Sequence, residues 1–357
     1  MGTRPEAIKL APVILGLRHQ AGQRVTVLHS GQHGELALDA LSSFGLVPDA
    51  SLNVLDAHQT LGNLTAKCLK SFEEFLSTEN PDYLLVQGDT TTALAGAMSA
   101  FYQRIPVGHV EAGLRTYDLS SPFPEEANRQ MLARIAHDHF APTPRAREQL
   151  LAEGVNSTAI HLTGNTVVDA LRLSSKREPP LQRPNFSPDL HKSVLVTMHR
   201  RENHDMLTET YGVTYSLATE FPDVDFVLVR HPNSTVTEAI DRMPSSPPNV
   251  VWIDPLPYAQ FLDLLAASTV VITDSGGVQE ERVSLGLPVI VARSTTERQE
   301  GVEMGLAQLI GTETDALSNA ARYQLRSETA WVDVSSVYGD GFATERIVDV
   351  ILASGER

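Results

Sequence analysis

Two carboxylates in this 357-residue chain stand where an apolar run gives way to a turn. Asp89 follows Tyr83–Gln87 (YLLVQ) and Glu111 follows Ile105–Val110 (IPVGHV). If those runs are adjacent parallel strands, both acids project into one crevice, because open α/β sheets bind ligands beyond the carboxyl ends of their strands. Gly88 and Gly113 permit tight turns at these points. Asp89 also has a plainer reading as a helix N-cap, since Thr90-Thr91-Thr92 opens a helical stretch. Glu111, followed by Ala-Gly, has no comparable structural task. A third acidic feature is Ser121–Arg129 (SPFPEEANR), where Glu125 and Glu126 fall in the first turn of a helix. Acids there complement the helix dipole. Arg129 lies four residues after Glu125, on the same helix face, so an ordinary exposed pair is the bland alternative. Three carboxylates close together would couple their titrations and favour keeping one protonated, as acid–base chemistry requires.

The second half of the chain offers cations and a phosphate cradle. His199 follows an apolar run and stands beside Arg200 and Arg201, an anion-site candidate, although a lone His is more often structural. Arg230-His231-Pro232 follows the next run in the same way. In Val270–Glu281 (VVITDSGGVQEE) a buried-type run ends in Asp274-Ser275-Gly276-Gly277 and a helix begins. Free N–H groups and the dipole at a helix start bind phosphate oxygens. Gly276 and Gly277 let a ligand approach the backbone, and Glu281 is placed to accept both hydroxyls of a ribose. The alternative is a Gly-rich cap. Asp223-Val224-Asp225 spells a pattern used by metal-dependent sugar-nucleotide enzymes, but it precedes a strand, at the wrong end for such a crevice. His137-Asp138-His139, and His29 with His33, lack companions at ligand spacing, so no metal is expected. Neither dinucleotide nor P-loop glycine fingerprints occur, so no cofactor of those kinds is expected either.

The elements that must position these residues alternate along the chain. Arg24–His29, Tyr83–Gln87, Ile105–Val110, His139–Thr143 and Ile160–Thr163 read as strands, with helical stretches such as Leu61–Leu76 and Thr90–Gln103 between them. A second series comprises Ser193–Thr197, Asp225–Val229, Val250–Ile253, Thr269–Thr273, Pro288–Ala292 and Gln308–Ile310. Near-continuous apolar strands separated by helices predict parallel sheets covered on both faces. The expected fold is therefore α/β, with two Rossmann-like doubly wound domains over residues 1–173 and 190–336 facing a central cleft. The proline-rich stretch Ser174–Lys192 reads as a linker, and Gly341–Ser354 as a terminal helix. Lys plus Arg number 28 against 44 Asp plus Glu, a formal net charge of −16. So acidic a surface repels nucleic acid and anionic lipid. The single cysteine, Cys68, excludes an intrachain disulfide and fits a reducing compartment. No apolar run is long enough to span a bilayer and the first residues show no signal pattern, so a cytoplasmic protein is expected.

Taken jointly, GTRPEAIKLAPV (Gly2–Val13), GDTTT (Gly88–Thr92), GHVEAGLRT (Gly108–Thr116), SPFPEEANR (Ser121–Arg129), GNTVVDAL (Gly164–Leu171), HRREN (His199–Asn203), DSGGVQEE (Asp274–Glu281) and TTER (Thr295–Arg298) resemble the non-hydrolysing UDP-N-acetylglucosamine 2-epimerases. The motifs occur in order over nearly the whole chain. The resemblance implies the GT-B arrangement, with the helix at 341–357 packing back on the first domain. It implies interconversion of UDP-GlcNAc and UDP-ManNAc at C2 of the sugar, no redox cofactor or metal, and a homodimer. By motif, the catalytic group would be Asp89, Glu111, Glu125 and His199. Arg4, Lys9, Arg129 and His231 would bind the sugar and diphosphate. UDP would rest on Ser275, Gly276, Gly277 and Glu281, with Phe261 near the uracil. Related readings are a hydrolysing relative that releases ManNAc and UDP, an epimerase for a modified UDP-GlcNAc, a GT-B glycosyltransferase, and an impaired nucleotide-sugar-binding protein. The chain departs from the family pattern in three places. Family members carry a short strand before the GTRPE motif, whose loss would expose two strand edges and a strip of core. Gly34 stands where Arg is common, and Gln299 where Pro is usual.

Overall fold

The structure is a computed structural model. It describes residues 1–355 except 21, 33, 57–58, 176–191, 199–206, 231–233, 312 and 328–336. The chain divides into two compact units, one of Met1–Arg177 with Tyr338–Arg357 and one of Glu178–Val337. Among the described residues, no helix is long and apolar enough to cross a membrane.

The first unit opens with α1 (Arg4–Arg18), started by Pro5 in its first turn and by Thr3, whose backbone N–H and hydroxyl both donate to Glu6. Then follow β1 (Leu28–His29), α2 (Gly34–Ser42), β2 (Ala50–Ser51), α3 (Leu61–Glu79), β3 (Leu84–Gln87) and α4 (Thr91–Tyr102). The series continues with β4 (Val107–Val110), α5 (Glu125–Ile135), β5 (Asp138–Ala141), α6 (Pro144–Ala152), β6 (Ile160–Leu162) and α7 (Thr166–Ser175). Strands β3-β4-β5-β6 form a parallel sheet in sequence order, while β1 and β2 form a separate parallel pair. The strand expected over 24–29 is therefore reduced to two residues. Its physical reason is pairing: β1 has only the two-residue β2 along one edge and only Met1 along the other. There the Met1 amino group donates to the Leu28 carbonyl at 3.0 Å, the Met1 carbonyl accepts the Ser30 N–H at 2.8 Å, and a cavity lies beside them. That cavity, of about 330 Å³, is lined by Val27 and Leu28 on one side and by Leu85 and Gln87 on the other. Val86, Val107, Leu94 and Leu132 anchor the core between the larger sheet and its helices.

The second unit runs β7 (Ser193–Thr197), α8 (Leu207–Glu220), β8 (Asp225–Val229), α9 (Ser234–Asp241), β9 (Val250–Ile253), α10 (Tyr258–Ala267) and β10 (Val270–Thr273). It ends with α11 (Gly276–Ser284), β11 (Val289–Val291), α12 (Gln299–Glu303), β12 (Ala307–Leu309) and α13 (Thr314–Arg326). Its six strands are all parallel in the order β12-β11-β10-β7-β8-β9. This is the doubly wound Rossmann order, and it reverses direction between β7 and β10, where such sheets open a ligand crevice. The chain then returns to the first unit as α14 (Ala343–Gly355), which packs on α1 and α7. Asp169 of α7 accepts the α14 backbone N–H groups of Ala343 (3.3 Å) and Thr344 (2.9 Å), a cap supplied by another helix.

Candidate active site

In the first unit the parallel register sets Gln87 beside Val110, so the turns carrying Asp89 and Glu111 leave adjacent strands at the same end of the sheet. Asp89 is not the helix cap. That role belongs to Thr90, whose hydroxyl accepts the N–H of Ala93 at 3.0 Å. Glu111 is buried and adopts φ +66°, a left-handed conformation that residues with a Cβ rarely take. Such strain clusters at functional sites. Its Oε2 accepts the Lys9 ammonium and the Gln87 side-chain amide, the latter at 2.9 Å. Gly113 follows at φ +93°, where a Cβ would lie 2.2 Å from the Ala146 carbonyl oxygen, so only glycine fits.

Helix α5 supplies the third acid. Glu125 is its first residue and half-buried. Arg129 does not form the exposed pair with Glu125 that helix spacing allows. It is 1% exposed, with its Nε 3.4 Å from carboxylate oxygens of both Asp89 and Glu126. Its charge is thus balanced, yet its three nitrogens make no hydrogen bond among the described residues. A buried guanidinium with donors to spare is suited to an anionic or hydroxyl-rich ligand. Glu126, fully buried, accepts the backbone N–H groups of Thr116 (3.0 Å) and Tyr117 (3.1 Å). It ties the loop before α5 to the Arg129 guanidinium, a role its first-turn position did not reveal.

Two further contacts fix the turn at Asp89. Asn128 Nδ2 donates to the Asp89 carbonyl oxygen at 2.8 Å, and His109 Nε2 donates to that of Gly88 at 2.7 Å. Burial drives the His109 pKa down to about 3, so the ring is neutral near neutrality. Burial likewise lowers His139 to about 4. Arg4 begins α1 beside this end of the sheet. Glu6 links that helix to the Asp89 turn by accepting the Thr90 hydroxyl at 3.0 Å.

In the second unit Ser275 is the N-cap residue of α11, directly after β10 at the point where the strand order reverses. A Cβ on Gly276 would come within 2.6 Å of the Arg298 guanidinium, whereas one on Gly277 would meet nothing within 4 Å. The first glycine thus admits a cation and the second leaves the helix start open. Arg298 Nε donates to Glu280 at 2.8 Å and Arg298 also pairs with Glu297, which Arg293 contacts at 3.1 Å. Thr296 donates to Gln279 at 3.0 Å. These buried charges anchor TTER onto α11. Glu281 is buried one turn into the helix, and Phe261 is buried on α10. His199 and His231, with Arg200 and Arg201, lie outside the described residues. Arg230 is exposed and 3.8 Å from Asp254. Asp225 starts β8, at the end of the sheet opposite Ser275. Asp138 starts β5 and accepts Tyr83, His137 and His161, each at 2.9 Å. Among the described residues, no three His, Cys, Asp or Glu side chains are arranged to hold a metal ion.

Comparison with known proteins gives a consistent result. The family profile described as UDP-N-acetylglucosamine 2-epimerase matches residues 16–352. The UDP-N-acetylglucosamine 2-epimerase of Escherichia coli K12 is 42% identical over 363 residues, covering 98% of this chain and 96% of its own length. A structure of UDP-GlcNAc 2-epimerase from Neisseria meningitidis bound to UDP-GlcNAc superposes with a TM-score of 0.89 at 39% identity, over 99% of this chain and 98% of the other. One from Methanocaldococcus jannaschii, in complex with UDP-GlcNAc and UDP, gives 0.88 at 35% identity, with 99% and 98% covered.

Proposed function

This chain belongs to the UDP-N-acetylglucosamine 2-epimerase family, and from that premise we propose that it interconverts UDP-GlcNAc and UDP-ManNAc without releasing a free sugar. The C2 proton of the substrate has no neighbouring carbonyl to acidify it. Its removal is feasible when the C1–O bond to UDP breaks in the same elimination: a carboxylate takes the proton, the C2–H electron pair forms the C1=C2 double bond, and UDP leaves with the C1–O pair. Re-addition of UDP to C1, with a proton delivered to the opposite face of C2, gives the epimer. This chemistry needs acid–base groups on two faces and cations against the departing diphosphate.

Asp89, Glu111 and Glu125 are the proposed acid–base set, and His199 is proposed to take part in the reaction. Arg4, Lys9, Arg129 and His231 are the proposed sugar and diphosphate contacts. Ser275, Gly276, Gly277 and Glu281 are proposed to seat UDP at the helix start, with Phe261 by the uracil. The observation that carries the reading is the buried Arg129, held at 3.4 Å by Asp89 and Glu126 with its hydrogen-bonding capacity unused. The proposed setting is a cytoplasmic homodimer, a reading drawn from the family resemblance and the single buried cysteine.

Incubation with UDP-GlcNAc in D₂O, followed by NMR at C2, tests the proposal. Deuterium at C2 of intact UDP-sugar, together with the C2 epimer, is the expected result. Free ManNAc with UDP would instead establish a hydrolysing enzyme. UDP binding without exchange would reduce the protein to a nucleotide-sugar binder.

A further inference from the structure

Gln87 is the only polar residue of β3, at the end of the run Leu84-Leu85-Val86, and it is 3% exposed. Burying an amide costs free energy unless it is hydrogen-bonded, and a fourth aliphatic residue would extend the strand at lower cost. The Gln87 amide is spent on Glu111 Oε2, at 2.9 Å. The same oxygen receives Lys9 from α1. Glu111 lies one residue beyond Val110, the register partner of Gln87, at a left-handed φ of +66°. There the pleat of β4 no longer sets the side-chain direction. The two donors differ in kind. Lys9 balances the charge, whereas Gln87 adds a directional contact with no charge and comes from a strand rather than a long flexible stem.

We propose that Gln87 is a positioning residue for the epimerisation, holding the Glu111 carboxylate in the orientation in which it exchanges a proton with the sugar. This rests on the reading of Glu111 as an acid–base group. When Gln87 is lost, Lys9 still neutralises Glu111, so substrate binding persists. The carboxylate then loses the directional contact from β3, and misplacement by about 1 Å costs on the order of 100-fold in rate.

Gln87→Met, close in size and without a donor, is the first variant to test, and Gln87→Leu, which also lacks a donor, takes its place if the methionine variant does not fold. Each is measured for kcat, for KM and for deuterium entry at C2, with circular dichroism as the check on folding. The expected result is a kcat about 10- to 100-fold below wild type with KM within twofold. Repeated in a Glu111→Gln background, the same substitution is expected to remove little of the residual rate, because the group it orients is gone. A wild-type kcat, a loss confined to KM, or an equal loss in both backgrounds would overturn the proposal. A wild-type protein that exchanges no deuterium would mark the failure of the acid–base reading itself, whereas an active wild type with an equally active Gln87→Met would overturn only the role of Gln87.

Discussion

One functional group occupies three surroundings at Asp89, Glu111 and Glu125. Asp89 is partly exposed against a buried guanidinium, Glu111 is buried between an ammonium and an amide, and Glu125 is half-buried at a helix start. Distinct surroundings separate the roles of chemically similar acids. Asp89→Asn, Glu111→Gln and Glu125→Gln are each expected to lower turnover by about 100- to 10,000-fold. The fold should persist, although Glu111→Gln, which leaves the buried Lys9 ammonium without its countercharge, should lower the unfolding midpoint. Chromatographic assay of UDP-ManNAc beside a thermal melt checks both, and near-normal rates in all three would refute the site. His109 makes a different prediction. An unfolded His takes up its proton near pH 6.5, whereas burial holds the folded ring neutral down to about 3. The unfolded state therefore binds more protons in that window, and stability is lost as pH falls from 6.5 toward 3. His109→Gln should flatten the difference in urea-unfolding free energy between pH 7 and pH 5. An unchanged slope would place the titration elsewhere. Neither His109 nor Gln87 announces itself in the sequence, because a polar residue inside an apolar run does not say which backbone or carboxylate its side chain reaches. Asp89 and Glu111 were legible because the strand-then-turn pattern fixes where they emerge.

At the level of elements, legibility follows hydrogen-bonded neighbours. Ser193–Thr197 and Asp225–Val229 form strands over the residues their apolar runs mark, since each lies between two partners in a six-stranded sheet. Arg24–His29 has an equally good alternating pattern but only a two-residue partner, so most of it forms no ladder. Propensity cannot supply a neighbour. The terminal helix was visible in the sequence, but its cap, Asp169, lies 174 residues away from Ala343 and has no local signal. Arg282 of α11 is a second long-range device. Fully buried, it donates to the carbonyl oxygens of Leu265 (2.6 Å), Ser268 (2.7 Å) and Pro288 (3.1 Å), bracing the end of α10 and the turn before β11. Burial lowers its pKa to about 10, so it stays charged at neutral pH. Arg282→Met would strand those carbonyls and is expected to cost about 3 kcal/mol or more. Equilibrium urea unfolding measures it, and a loss below about 1 kcal/mol would show that the carbonyls find other donors.

Across the whole molecule, the two units differ in how the chain builds them. The second is one continuous stretch with a complete six-stranded sheet and its own core around Val194, Phe226, Ile272 and Leu317. The first is discontinuous: Asn165 donates to the Tyr338 carbonyl oxygen at 2.7 Å, and Ile347 and Val348 of α14 are buried. A Cβ on Gly16 of α1 would lie 2.8 Å from the Thr344 side chain, so α1 and α14 are fitted to close approach. Truncation after Val337 would bare that apolar surface of α1 and remove the two N–H donors of Asp169, and is expected to destabilise the first unit strongly. The shortened chain 1–337 is expected to lose turnover while still binding UDP, because the helix start at Ser275 depends on neither α1 nor α14. Conversely, the isolated stretch 178–337 is expected to unfold cooperatively and to bind UDP, without exchanging deuterium at C2. Calorimetric titration with UDP beside thermal melts of both fragments decides the matter. If 178–337 folds but ignores UDP, the nucleotide seat does not lie at Ser275, and the reversal of strand order between β7 and β10 would mark a crevice without that ligand.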